Sequence, residues 1–147
     1  MYTARQIIDV KGHEVWAVAP HQTVYQAIAM MADKDVGSLL VLDGRKLIGI
    51  ITERHYARNI ILKGKASPST LVSEIMTRKV VCARPEYTVD RCMDLMTRHC
   101  VRHLPVLEKG RVIGVISIGD LVKSIIEDQN FIITELENFI AGETRVH

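Results

Sequence analysis

Apolar positions along this chain follow two alternating rhythms. From Thr23 they recur at helical spacing: Val24, Ala27, Ile28 and Met31 form one stripe. Thr23 is placed to cap that helix, because its side-chain oxygen can accept an unpaired first-turn amide. Residues 38–42 and 47–52 are β-rich runs, with Asp43-Gly44 between them as a hairpin signal. A second helix is predicted over about 53–62, and residues 14–18 form a short strand closed by Pro20. The same order then returns. Residues 80–83 read as a strand, and Thr88 caps a helix with Val89, Cys92, Met93 and Met96 inward. Residues 103–108 and 111–117 form a hairpin around Lys109-Gly110, and a helix starts near Gly119 and runs through Leu121, Ile125 and Ile126. A last amphipathic stretch carries Phe131, Ile132, Leu136, Phe139 and Ile140 as far as Gly142.

The two halves align without a gap. Pro20 falls on Pro85, Thr23-Val24 on Thr88-Val89, Met31 on Met96, and Val36 on Val101. Leu39 falls on Leu104, Val41-Leu42 on Val106-Leu107, Ile48-Gly49 on Ile113-Gly114, Ile51 on Ile116, and Ile60 on Ile125. The period is roughly 65 residues. The predicted division is a first repeat over 1–63, a Gly/Pro/Ser-bearing linker over 64–70, a second repeat over 71–127, and a C-terminal amphipathic helix and tail over 128–147. Each repeat has a short lead-in, 3–10 in the first and 71–76 in the second. The hairpin strands are apolar on both faces, so they are expected to be covered on both sides. The fold class is α/β (α+β), with two β-α-β-β-α repeats packed as a pseudo-two-fold pair.

Composition adds limits. Of 147 residues, 48% are hydrophobic and 24% charged, as in a soluble globular domain with an aliphatic core. A net charge of +2 is too small to argue for nucleic acid by itself. The first residues lack a signal peptide's apolar region and no apolar run is long enough to span a bilayer, so a cytoplasmic protein is expected, without membrane partners. Cys82, Cys92 and Cys100 include no CxxC pair and are odd in number, which suits free thiols rather than a disulfide framework.

Candidate chemistry lies where the third strand of each repeat meets its last helix. One junction reads Ser117-Ile118-Gly119-Asp120, the other Thr52-Glu53-Arg54-His55. A hydroxyl at a helix start suits an anion, because first-turn amides and the helix dipole point the same way. Gly119 lets backbone approach a ligand, and Asp120 can accept two hydrogen bonds from a vicinal diol such as a ribose. The plain alternative is that Ser/Thr and the following acidic residue simply cap a helix.

The duplicated unit, with Thr23-Val24 and Thr88-Val89, His103-Leu104-Pro105-Val106, Ile113 to Asp120 and the lead-in Glu74-Ile75-Met76-Thr77, resembles the CBS domain family, whose members occur as tandem pairs. That resemblance implies a stand-alone regulatory module without catalysis. It would bind an adenine nucleotide, such as AMP, ADP, ATP, NAD(H) or S-adenosylmethionine, in clefts between the two copies. It also implies site roles. Ser117 would contact phosphate, Asp120 the ribose hydroxyls, and Val115 the base. Lys11, Val15 and Trp16 would flank the adenine beside Val36 and Gly37, and Arg102 and His103 would lie near phosphates. Arg54 and Arg58 could add charge for a second phosphate. His55 in place of the carboxylate predicts a weaker second site at Thr52, Arg54, His55 and Arg58. The resemblance also favours a homodimer, with the C-terminal helix packing either on its own module or on a second copy. The effector protein is not identified.

Other chemistries find less support. His99 and His103 flank Cys100 at metal-like spacing, but the helix is expected to end near Val101, so no metal is expected. His13, His21 and His147 are expected at the surface. No nucleophile has an obvious base, and no GxSxG, Walker A or GxGxxG segment is present. Arg54, Arg58, Lys63, Lys65, Arg78 and Lys79 could form a weak nucleic-acid patch, but a solvated face explains them equally well. A scaffolding or redox-responsive protein with a vestigial cleft is the reading from a different class.

Overall fold

The computed structural model describes residues 2–142. In chain order the elements are α1 (Ala4–Lys11), β1 (Ala17–Val18), α2 (Val24–Lys34), β2 (Ser38–Asp43), β3 (Lys46–Thr52), α3 (Glu53–Tyr56), α4 (Val72–Ile75), α5 (Val89–His99), β4 (His103–Glu108), β5 (Arg111–Ser117) and α6 (Ile118–Ile140). They fall into two units. One holds residues 14–81 with 108–112, and the other holds, of the described residues, 2–13, 82–107 and 113–142.

In the first-repeat unit, β1 runs parallel to β2 and β2 antiparallel to β3, with Ala17 opposite Leu40 and Leu39 opposite Ile51. The register slips between Val41 and Leu42. Thr23 caps α2 as its sequence suggests: its Oγ1 accepts from the Gln26 amide, while the Gln26 side chain accepts from the Thr23 amide. The stripe Val24, Ala27 and Met31 is fully covered, packing with Leu39, Val41 and Ile51 and with Val72, Ile75 and Met76 of the lead-in to the second repeat. Gly49 makes room for that lead-in. A Cβ there would stand 2.7 Å from Met76 Sδ and 2.9 Å from the Thr77 carbonyl oxygen, and Thr77 pairs with Ile50. The predicted strand over 14–18 shortens to two residues. The helix expected over 53–62 is α3 followed by a π-helical turn, Ala57–Ile61.

The second-repeat unit is built the same way. β4 and β5 pair, and the strand expected at 80–83 contracts to one parallel bridge, Ala83 with Val106. Thr88 caps α5, accepting from the Arg91 amide. The core of this unit is Ile8, Val89, Cys92, Met96, Leu104, Val106, Ile116 and Leu121, all buried.

The lead-ins depart from the expected division. Residues 3–10 open the first repeat in sequence, yet they sit in the unit of the second. Thr3 bridges Thr88, the Ala4 amide donates to the Tyr87 carbonyl at 2.8 Å, and the Val89 amide donates to the Tyr2 carbonyl at 3.1 Å. Ile8 fills the notch at Gly114, where a Cβ would run into its side chain. Each glycine notch thus receives the lead-in of the other repeat, Met76 at Gly49 and Ile8 at Gly114. The last amphipathic stretch continues the final helix of the second repeat without a break, as α6 runs over 23 residues. The tail at 143–147, with His147, lies outside the described residues. Among the described residues no helix is long and apolar enough to cross a membrane.

Candidate functional site

Ser117 ends β5 and caps α6. Its Oγ accepts from the Asp120 amide at 3.2 Å, and Asp120 Oδ2 accepts from the Ser117 amide at 2.8 Å. This is a capping box with aspartate in the third helical position. The same Oδ2 accepts a second, charged hydrogen bond at 2.6 Å from Lys11 Nζ, in the last turn of α1. Lys11 Nζ also donates to the Val115 carbonyl at 2.9 Å. One ammonium therefore ties the end of α1 to the β5–α6 junction.

Three groups there keep unused hydrogen-bonding capacity. Asp120 Oδ1 accepts no hydrogen bond among the described residues. The Ser117 hydroxyl accepts from protein but keeps its own proton to donate. The Gly119 amide is one of the first-turn donors that a helix leaves without an intrahelical partner. The Ile118 amide, by contrast, is spent on the Arg102 carbonyl at 2.9 Å. A Cβ on Gly119 would meet only Ser117 Oγ, at 3.6 Å, so the fold itself does not demand glycine there.

Electrostatics follow from this packing. Burial alone would raise the Asp120 carboxyl, but the hydrogen bonds from Lys11 and from the Ser117 amide, with the charge of Lys11, hold it below the usual carboxylate value. Burial lowers His103, and Lys11 and Arg102 lower it further against the opposing pull of Asp120. The second-repeat unit thus brings together Lys11, Arg102, His103, Val115, Ser117, Gly119 and Asp120.

A cavity of about 170 Å³ adjoins this junction, lined among others by Ile7, Val10, Lys11, Asp120, Lys123 and Ser124. Ser124 is only 5% exposed, and its Oγ has no hydrogen-bond partner among the described residues. Sequence reasoning missed this residue. The available signal was a serine one helical turn beyond Asp120, interrupting the inward stripe of Leu121 and Ile125.

The remaining predicted residues lie in the first-repeat unit. Thr52 Oγ1 accepts from the His55 amide at 3.2 Å, and His55 Nδ1 accepts from the Thr52 amide at 3.2 Å. His55 therefore takes the capping role that Asp120 takes in the second repeat. With Nδ1 accepting, the ring proton of the neutral form sits on Nε2, which offers a donor and no acceptor. Burial first, then the charges of Arg54 and Arg58, lower its pKa and keep it neutral at pH 7. The Glu53 amide donates to the Gly37 carbonyl at 3.1 Å, mirroring Ile118 on Arg102. Val36 donates its amide to the Met31 carbonyl. The exposed Trp16 ring lies 4.6 Å below Lys34 Nζ, beside the half-buried Val15. Arg54 and Arg58 are exposed.

Among the described residues no three His, Cys, Asp or Glu side chains cluster as metal ligands. His99 ends α5 while His103 opens β4. Burial raises the Cys82 and Cys92 thiols, which disfavours the reactive thiolate.

The family model of the CBS domain matches the chain twice, over residues 7–61 and 72–127. The mitochondrial CBS domain-containing protein CBSX3 of Arabidopsis thaliana is 39% identical over 136 residues; the match covers 89% of this chain and 66% of that protein, so the chain spans just under two thirds of it. The CBS domain-containing protein YhcV of Bacillus subtilis (strain 168) is 30% identical over 113 residues, covering 77% of this chain and 80% of YhcV. A solved structure of a protein with CBS domains from Burkholderia ambifaria MC40-6 shares 50% identity with a TM-score of 0.83, covering 87% of this chain and 96% of that one. With both repeats matched and the two junctions equivalent, the chain belongs to the CBS domain family.

Proposed function

We propose that this chain is a non-catalytic sensor that binds an adenine nucleotide (AMP, ADP, ATP or NAD(H)) at the start of α6 and acts as a homodimer. Tandem CBS domains are regulatory modules, which sets the general class. The choice of ligand rests on one observation: the two equivalent junctions differ in what they leave open. The β5–α6 junction leaves a carboxylate oxygen beside a free hydroxyl proton and a first-turn amide. The β3–α3 junction ends in a neutral imidazole whose acceptor nitrogen is already used.

Each residue has a role in this reading. The Ser117 hydroxyl and the Gly119 amide donate to a phosphate. Asp120 receives the ribose diol through Oδ1, with Oδ2 shared. Lys11 has three N–H donors and uses two, so the third is available to a phosphate oxygen. His103, held neutral, contributes a hydrogen bond rather than a charge. Thr52, Arg54, His55 and Arg58 make the weaker second site. Binding then shifts the protein between two states in proportion to its differential affinity for them.

Calorimetric titration with AMP, ATP and NADH, with GMP as a control, tests the reading. A saturable adenine-specific heat is expected. Failure of all three adenine ligands to bind would overturn it and favour a scaffolding protein.

A further inference from the structure

The acceptors that the nucleotide reading gives to a ligand's donors are held by a side chain of the protein itself. Lys11 Nζ stands 2.6 Å from Asp120 Oδ2 and 2.9 Å from the Val115 carbonyl oxygen. In that reading Asp120 takes the ribose diol and Val115 borders the base, whose exocyclic amine needs an acceptor. Asp120 Oδ2 also accepts from the Ser117 amide at 2.8 Å, so both of its lone pairs are in use. Oδ1 can take one ribose hydroxyl, but the second reaches Oδ2 only when Lys11 withdraws. Lys11 can withdraw without carrying its helix with it, because other contacts hold α1. Thr3 bridges Thr88, Ile8 fills the notch at Gly114, and His13 Nδ1 lies 2.9 Å from the Ile113 carbonyl oxygen. The Lys11 side chain is 38% exposed, so its ammonium has a route to solvent.

We infer that Lys11 makes this site selective for phosphate-bearing nucleotides over nucleosides, because it competes for Asp120 and Val115 until a phosphate draws it away. The inference rests on the nucleotide reading and adds a specificity to it. The physical basis is an exchange of partners. A nucleoside brings only neutral donors, the diol and the exocyclic amine. To seat them it must break a charge-assisted hydrogen bond, the strong kind, and release the ammonium to water with no anion in return. A nucleotide brings a phosphate as well, so the ammonium leaves one anion for another. A phosphate monoester also carries more negative charge at pH 7 than a single carboxylate. The third N–H of Lys11 is unused, so the new bond can form before the old ones break. Among the described residues Lys11 is the one cation paired with Asp120, so no neighbour takes over its part. The first repeat has no equivalent competition, since His55 presents no anion and its acceptor nitrogen is used by the Thr52 amide.

Calorimetric titration of the full chain with adenosine and with AMP at pH 7 tests it, in the wild type, Lys11→Met and Lys11→Arg. The wild type is expected to prefer AMP. Adenosine should bind Lys11→Met about three- to tenfold more tightly, a modest gain because the competing pair is partly exposed. AMP, deprived of its cationic partner, should bind that variant about tenfold more weakly. Lys11→Arg keeps the charge and should keep the preference for AMP. The opposite movement of the two ligands is the readout, since loss of a merely structural lysine would weaken both. Far-UV circular dichroism should be unchanged, and if Lys11→Met misfolds, Lys11→Gln carries the same comparison. A wild type that binds adenosine as tightly as AMP, or a Lys11→Met variant in which both affinities change by the same factor, overturns the inference and leaves the nucleotide site standing. Binding of neither ligand to any of the proteins overturns both.

Discussion

Replacing Asp120 by Asn and by Ala separates a helix cap from a ligand site. In the structure Asp120 Oδ2 accepts from the Ser117 amide and from Lys11, and Oδ1 accepts no hydrogen bond among the described residues. Ala removes both acceptor oxygens, while the Ser117 hydroxyl still caps the amide of residue 120. Losing the Asp120 half of the capping box costs up to about 1 kcal/mol. The Lys11 pair adds less than about 1 kcal/mol, since the lysine side chain is 38% and the aspartate 23% exposed. The sum, about 1–2 kcal/mol, corresponds to a fall of roughly 3–6 °C in Tm for a chain of this size. Asn still accepts from Ser117 and keeps most of the cap, so its Tm should fall by about half as much or less. The carboxylate charge, however, is gone in both variants. A hydrogen bond to a charged group is worth about 1.5–3 kcal/mol, so both should lose nucleotide affinity about tenfold to a hundredfold. The assay is a thermal melt paired with AMP titration at pH 7. Because the folded Asp120 pKa is depressed, its stabilisation is complete above the ordinary carboxylate value and is lost only as pH falls below it, so pH 7 lies on the plateau. An Asn variant that binds AMP like the wild type would reduce Asp120 to a cap and refute the role given to it.

Gly119→Ala should leave stability unchanged or raise it by up to about 1 kcal/mol, since space exists for the methyl and alanine favours the helix; nucleotide affinity should fall by titration. Gly49→Ala should destabilise by about 1–3 kcal/mol in urea unfolding, because its methyl would strike the Thr77 backbone as well as Met76, whereas Gly114→Ala should cost less because only the Ile8 side chain must move. His55 and His103 have depressed folded pKa values, so their contribution to stability is complete above about pH 6.5 and is lost as pH falls from there through the folded values. Unfolding free energies between pH 7 and 5 should therefore fall less in His55→Gln/His103→Gln than in the wild type, and an identical slope would contradict the assignment.

The repeat, the threonine caps and the hairpins were legible because each is a local signal: Thr23 and Thr88 precede apolar stripes, and Gly44 and Gly110 mark turns. The destination of the lead-ins was not. Ile8 and Met76 fit equivalent glycine notches, so nothing local says which sheet takes which segment. At the site, the difference between Asp120 and His55 was visible as a lost carboxylate, but not that His55 takes over the cap through Nδ1. Lys11 was expected beside a base on family resemblance alone. Its hold on Asp120 spans 109 positions of sequence, a pairing that no periodicity encodes. The outward turn of the apolar residues of α6 was hidden for a related reason: periodicity gives a stripe its width, not the direction in which it faces.

A calorimetric count of AMP bound per chain, in the wild type and in Asp120→Asn and His55→Ala, bears on the asymmetry of the two junctions with the least inference between observation and claim. One tight site per chain is expected, lost or greatly weakened in Asp120→Asn and retained in His55→Ala. Two equal sites, or a tight site that disappears with His55 and survives the loss of the Asp120 carboxylate, would contradict it.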